Sequence, residues 1–181
     1  MRIPRVVTVV STIILAAVLP ATSASAAVLP VVVSARFAES GPTVTYRPDA
    51  VPVGARATVL SVPVARTTTV VLVVRGLTPH QHYGAHVHTR PCGPAPTDAG
   101  PHYQNVVDPI QPSTDPAYAN PSNEVWLDLT TDARGAAIVN STVDWTFRGA
   151  GALVIHEHHT HTAPGEAGTA GARLACVTVP F

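Results

Sequence analysis

The chain has 181 residues, of which 46% are hydrophobic and only 12% are charged, and its formal net charge at pH 7 is zero. So many apolar residues exclude a globally disordered protein, and the balanced charge excludes a uniformly basic nucleic-acid-binding protein. The 18 Pro and 12 Gly, together with a bias toward β-branched Val and Thr, argue against a helix bundle.

The N-terminus has the pattern of a secretory signal peptide. Two arginines within the first five residues precede an uncharged, mainly apolar run over 6–19, and small residues follow up to an Ala-Ser-Ala triplet that ends at Ala26. A transmembrane anchor is the alternative, but a span needs about 20 apolar residues and this run is shorter. We therefore expect a signal peptide over 1–26 and one mature domain over 27–181. The domain would be secreted to the extracellular space or the cell envelope, with no membrane anchor after cleavage.

Beyond the signal peptide the chain carries strand patterns and no convincing helical period. Between Ala137 and Phe147 the odd-numbered residues are mostly apolar and the even-numbered ones mostly polar, which predicts a half-buried strand. A Pro- and Gly-rich stretch over 91–121 predicts a long, functional loop. Short strands separated by Gly and Pro turns favour an all-β antiparallel sandwich or barrel. The predicted strands cover 31–37, 43–47, 55–62, 67–75, 137–147, 152–156 and 172–179.

The two cysteines, Cys92 and Cys176, are interpreted through the predicted export. In an oxidising compartment two cysteines pair by default, so a disulfide is expected. Two free thiols, or two thiolate metal ligands, remain the alternative.

Histidine is the one polar residue in excess, and all nine histidines lie between His80 and His161. His86 and His88 are two residues apart, so on a strand they point to the same face and can chelate one metal ion. His102 and His156 come from two further segments. Four imidazoles from three segments make a copper site plausible, because imidazole suits copper and zinc. Taken one by one, each could instead be an ordinary surface or core histidine.

The other five histidines are interpreted mainly as solvent-facing. His80 and His82 are expected in a turn. His158, His159 and His161 follow His156 closely and are expected in an exposed polar loop. A site that collects copper, or a replacement metal site, is the alternative for these three.

Several motifs along the mature chain resemble those of the copper/zinc superoxide dismutases, and they come in that family's order. The resemblance implies a Greek-key antiparallel β-sandwich, or flattened barrel, of about eight strands with long functional loops. The motifs are GAHVH at 84–88 and AGPHY at 99–103, which resemble the family's first metal-binding stretch, TDARG at 131–135, ALVIHE at 152–157 and GTAGARLAC at 168–176.

The resemblance also assigns roles to residues of this chain. It implies a disulfide between Cys92 and Cys176, and an arginine, Arg173, beside the copper channel, where it attracts the superoxide anion. His102 matches the family's bridging ligand, which can also carry a proton. The implied activity is dismutation of superoxide to oxygen and hydrogen peroxide by alternating Cu(II) and Cu(I). The implied copper ligands are His86, His88, His102 and His156.

The sequence departs from the family at the zinc site. The family adds two histidines and an aspartate after the bridging ligand, but no histidine lies between His102 and Asp132. Thr160 also stands where the family has an aspartate that links the two metals. Zinc needs about four ligands, so zinc is not expected and a copper-only member is predicted. Either Glu124 or Asp128 could bond to His102 in place of zinc, or both could be ordinary loop carboxylates.

Two functions remain open from the sequence. The first is a secreted copper-dependent superoxide dismutase. The second is a secreted copper-binding or structural module on the same fold with little or no turnover, because the lost zinc ligands could leave His102 poorly held. No nucleic acid is expected as a partner.

Overall fold

The computed structural model describes residues 29–181, so the predicted signal peptide over 1–26 lies outside the described residues. Every named strand pairing is antiparallel. The strands of this part of the chain are β1 Val31–Arg36, β2 Thr43–Thr45, β3 Arg56–Val64, β4 Thr67–Arg75, β5 His82–His88, β6 Leu129–Thr130, β7 Ala137–Val143, β8 Ala152–His156 and β9 Arg173–Thr178, and one 3₁₀ turn covers Pro96–Ala99.

The strands form two sheets, one of four strands in the order β1-β3-β4-β7 and one of five in the order β2-β9-β8-β5-β6. The chain crosses between the sheets several times, as from β4 to β5 and from β7 to β8. This architecture confirms the predicted all-β sandwich. Over residues 29–181 the two sheets do not close into a single barrel.

The four-stranded sheet buries only its inner face. Burial alternates along β3 and β4, and inward residues such as Val59 and Leu72 are fully buried in the core between the sheets. On the outer face, Ser34 and Thr58 form an exposed hydroxyl pair at 2.9 Å. The alternating burial of these strands therefore reflects one face in the core and one in water.

The five-stranded sheet is buried on both faces. In β8, Leu153 and Ile155 belong to the core between the sheets. Ala152 and Val154 belong to a second apolar cluster on the outer face, which includes Ala99 from the loop that follows β5. Loops cover this outer face, which explains why β8 is apolar throughout rather than alternating.

The disulfide between Cys92 and Cys176 ties the loop after β5 to β9, with Cα atoms 5.8 Å apart and a sequence separation of 84. It closes a long loop and thereby restricts the unfolded chain. No helix within residues 29–181 is long and apolar enough to span a membrane.

The strand predicted to reach Phe147 ends earlier, at Val143. Beyond this point Trp145 leaves the sheet, and its indole Nε1 donates to the Ser122 carbonyl at 2.8 Å. Trp145 and Phe147 both pack against Tyr103. The alternation continues past the strand because these aromatic side chains still enter an apolar cluster.

The edge strand β6 and the start of β5 also differ from the prediction. Leu129–Thr130 is too short to show any period, and it is recognisable only by its pairing with His82 and Tyr83. His82 begins β5 instead of lying in a turn, although its side chain is exposed as predicted.

Candidate metal centre

Four histidines meet on the outer face of the five-stranded sheet. β5 contributes His86 and His88, and the neighbouring β8 contributes His156. His102 comes from the covering loop, where its backbone bridges to His88. One potential ligand atom of each imidazole lies within 4.8 Å of those of the others. The structure thus brings together the four residues predicted as copper ligands.

Hydrogen bonds select which ring nitrogen of the β5 histidines points into the cluster. His86 Nε2 lies 2.8 Å from the Thr160 hydroxyl, and His88 Nδ1 lies 2.9 Å from the Gly100 carbonyl. A carbonyl only accepts, so His88 Nδ1 carries the proton and Nε2 carries the lone pair. For His86 the remaining nitrogen is Nδ1, which is buried with no hydrogen-bond partner.

His102 and His156 complete the set. His102 Nδ1 lies 2.9 Å from Glu124 Oε2, which leaves Nε2 free. His156 Nε2 lies only 3.3 Å from His88 Nε2, so both nitrogens face one point. His156 Nδ1 is buried without a hydrogen-bond partner.

This donor set fits a metal ion that imidazole binds well. An unpaired buried nitrogen such as His86 Nδ1 costs free energy unless something binds it. Imidazole nitrogens from all four residues converge, and no thiol belongs to the group. Copper and zinc prefer such ligands over water or carbonyl oxygen.

The environment keeps His86, His88 and His156 neutral, which metal ligation requires. Burial is the main cause that lowers the pKa of His86 and His88. Burial also lowers the pKa of His156, to about 3, with further lowering by His102 and Arg173. A neutral imidazole keeps a lone pair for the metal, so little proton release is needed when a metal ion binds.

Glu124 holds His102 through a hydrogen bond to its ring nitrogen Nδ1. Its carboxylate is buried and accepts from Gln104 Nε2 at 2.8 Å and from Trp126 Nε1 at 2.7 Å, besides contacting His102 Nδ1. The structure therefore places Glu124 and not Asp128 on His102. Sequence reasoning missed Gln104 and Trp126. The signal for Trp126 was its position two residues after Glu124, on the same side of an extended segment.

Asp128 acts instead on His86, through Thr160. The Thr160 hydroxyl donates to Asp128 Oδ1 at 2.6 Å, and the Thr160 backbone N–H also donates to this carboxylate. Because the Thr160 hydroxyl donates its hydrogen bond to Asp128, its oxygen accepts a hydrogen bond from His86 Nε2–H. The proton is thereby held on Nε2, and the lone pair of His86 stays on Nδ1.

A pocket of about 220 Å³, which we call the channel, lies against the cluster, and His102, His156 and Arg173 are among its lining residues. β9 places Arg173 opposite His156 in the sheet, and its guanidinium donates to the Pro96 carbonyl at 2.9 Å. Burial lowers the pKa of Arg173, and Arg90 lowers it further, but an arginine stays charged at neutral pH. The channel therefore holds a cation beside the imidazoles.

The remaining histidines all lie on the surface, as the sequence predicts. His80, His82, His158, His159 and His161 are exposed. Among residues 29–181, the only group of three or more His, Cys, Asp or Glu residues whose ligand atoms approach closely enough to hold one ion is His86, His88, His102 and His156.

Comparison with protein-family models identifies one family for this chain. The model of the family described as "Copper/zinc superoxide dismutase (SODC)" matches residues 56–179. No curated protein matches the chain.

Solved structures show the same fold. A mutant of an SOD-like protein from Bacillus subtilis is 17% identical with a TM-score of 0.54, over 69% of this chain and 90% of that one. The Cu/Zn superoxide dismutase from Brucella abortus is 20% identical with a TM-score of 0.50, over 83% of this chain and 99% of that one.

Proposed function

The chain belongs to the copper/zinc superoxide dismutase family, and on that premise we propose that it is a secreted copper-dependent superoxide dismutase that works without the usual zinc site. The observation that carries this proposal is the convergence of four imidazoles at a channel that also holds Arg173. The substrate would be the superoxide anion, and the working unit would be the domain over 27–181.

Copper would be held by His86 Nδ1 and by the Nε2 atoms of three further histidines. When bound there, copper would supply two accessible oxidation states, so that one superoxide is oxidised to oxygen and the next is reduced to peroxide. The hydrogen bonds that the three rings donate to Thr160, Gly100 and Glu124 orient them before any metal arrives. The other three ligands would be His88, His102 and His156.

Arg173 would attract and orient the substrate. A guanidinium in a channel lined partly by buried groups attracts a small anion more strongly than one on an open surface, since less water screens it. The Pro96 carbonyl holds this guanidinium in place. Because every cation of the chain is an arginine, guidance of superoxide depends on arginine alone.

His102 would take part in proton transfer. Glu124 accepts from His102 Nδ1, so the other nitrogen, Nε2, presents its lone pair to the channel. An imidazole can hold one of the two protons that peroxide requires on Nε2 whenever this nitrogen is not bound to copper. The same bond supports a copper-only centre, because Glu124 occupies the side of His102 where the family places zinc.

Export of the protein is part of the proposal. The signal-peptide pattern and the Cys92–Cys176 disulfide both suit an oxidising compartment.

The test is superoxide turnover by the domain over 27–181 after copper loading and removal of loosely held metal with a competing chelator. We expect one retained copper per chain, an electron paramagnetic resonance signal with nitrogen ligands, and turnover. Retained copper without turnover would overturn the enzyme and leave the copper-binding module. Retained copper in the double variant His86→Ala and His156→Ala would overturn the assigned ligands.

A further inference from the structure

We propose that the surface histidine cluster, defined as His82, His158, His159 and His161, binds a second copper ion as Cu(II), with His82 and His159 as its two principal ligands. This site lies outside the buried centre and goes beyond the proposed dismutase activity. It requires neither copper at the buried centre nor turnover.

The four side chains share one surface depression. His82 and His159 approach edge to face, with ring centroids 4.7 Å apart. Together with Gln81, His158 and His161 they line a depression of about 360 Å³. All four imidazoles are exposed, so an ion from solution can reach them.

Hydrogen bonds to β6 prepare the two principal imidazoles. His159 Nε2 lies 3.0 Å from the Leu129 carbonyl, which only accepts, so this nitrogen carries the proton and Nδ1 keeps the lone pair. His82 Nδ1 lies 2.8 Å from the Thr130 hydroxyl. This hydroxyl can rotate to accept, which leaves the lone pair of His82 on Nε2. One ring nitrogen anchored to a protein oxygen and one left free is the usual arrangement of a metal-binding histidine.

The backbone that carries the other histidines is also held. Thr160 turns inward to Asp128 and His86, while its neighbours turn outward. The backbone N–H groups of His158 and His161 donate to the carbonyls of residues 170 and 169. The three loop histidines are therefore presented by an ordered segment, and binding costs less conformational entropy than in a free loop.

The charge around the cluster favours a cation. The Glu157 carboxylate lies 3.8 Å from His158 Nε2, and the Glu166 carboxylate lies 3.2 Å from His161 Nδ1. Two imidazoles with water molecules in the remaining positions satisfy the tetragonal coordination of Cu(II), and among divalent first-row metals copper binds such ligands most tightly.

The test is a Cu(II) titration of the domain over 27–181 whose buried centre is already loaded. We expect one further copper per chain by equilibrium dialysis, and paramagnetic broadening of the ring-proton resonances of His82 and His159. The double variant His82→Gln and His159→Gln should bind this second ion at least about tenfold more weakly, as expected when ligands are lost. The variant His80→Gln, which changes an exposed histidine outside the depression, should bind it normally.

Three results would overturn the proposal: no second copper in the unmodified domain, equal binding by the double variant, or binding of Zn(II) at these residues without Cu(II). Failure of the buried centre is separable. In a domain that takes up no buried copper, the first equivalent of Cu(II) should still broaden His82 and His159.

Discussion

The two sheets are built from similar Val-rich strands but meet different surroundings. On the outer face of the four-stranded sheet, Val32 and Ile138 are 64% and 73% exposed. On the outer face of the five-stranded sheet, Val154 is fully buried beneath loops. The covered face excludes water from His86 and His88, and the open face has no comparable group among the described residues. The loops, more than the strands, therefore distinguish the sheet that carries the site.

The largest expected effect on stability comes from removing the Cys92–Cys176 disulfide, which holds the loop that covers the five-stranded sheet. The double variant Cys92→Ser and Cys176→Ser should lower the free energy of unfolding by about 2–5 kcal/mol, because the unfolded chain regains the freedom of a long loop. Denaturant unfolding measures this loss. The control is Ser34→Ala with Thr58→Ala on the open face, which should change stability by less than about 0.5 kcal/mol. A similar loss in both variants would contradict the comparison.

A matched pair of substitutions compares the two outer faces directly. Val154→Thr buries a hydroxyl beneath the loops and should cost about 1–3 kcal/mol of unfolding free energy. Val32→Thr makes the same change at an exposed position of the open face and should stay within about 0.5 kcal/mol. The midpoints of thermal or denaturant unfolding give both values. If the two substitutions cost the same, the outer face of the five-stranded sheet is not sealed in solution.

Glu124 tests the link between the covering loop and the metal centre. Glu124→Gln keeps the shape but removes the charge that holds His102, and copper affinity should fall by about 10- to 100-fold. Competition with a chelator of known affinity measures the change. Glu39→Gln, an exposed carboxylate after β1, is the control and should leave the affinity unchanged. Equal affinity in the Glu124 variant would refute the role of this carboxylate.

The smallest expected effect concerns the channel cation. Arg173→Ala should lower superoxide turnover about tenfold and weaken its dependence on salt, while copper content stays the same. Arg75→Ala, on an exposed residue of the open sheet, should leave turnover unchanged. Unchanged turnover in the Arg173 variant would show that the cation does not guide the substrate.

The sequence predicts the open sheet better than the covered one. All four strands of the open sheet are predicted with bounds within a few residues, and in β7 apolar and polar residues also alternate along the chain. β8 is recognisable only as an apolar run, since both of its faces are buried. β6 leaves no signal at all, because its two residues are defined by their partner in β5.

Some features of the candidate site are likewise predictable from the sequence and others are not. The grouping of the four histidines is predictable because the motifs that carry them resemble a known family. The sequence does not predict whether Glu124 or Asp128 bonds to His102, because this depends on how a loop without regular period crosses the sheet. The link from Asp128 through Thr160 to His86 joins segments that only the folded chain brings together.

The position of Arg173 also depends on a small ring within the chain. Cys92 lies shortly before Pro96, and Arg173 lies shortly before Cys176, so the disulfide and the hydrogen bond from Arg173 to Pro96 join the same two segments at both ends. The covalent bond raises the effective concentration of the Pro96 carbonyl near the guanidinium, so the hydrogen bond forms at little further entropic cost. Chain connectivity thus determines where the positive charge lies in the channel, together with the register of β9.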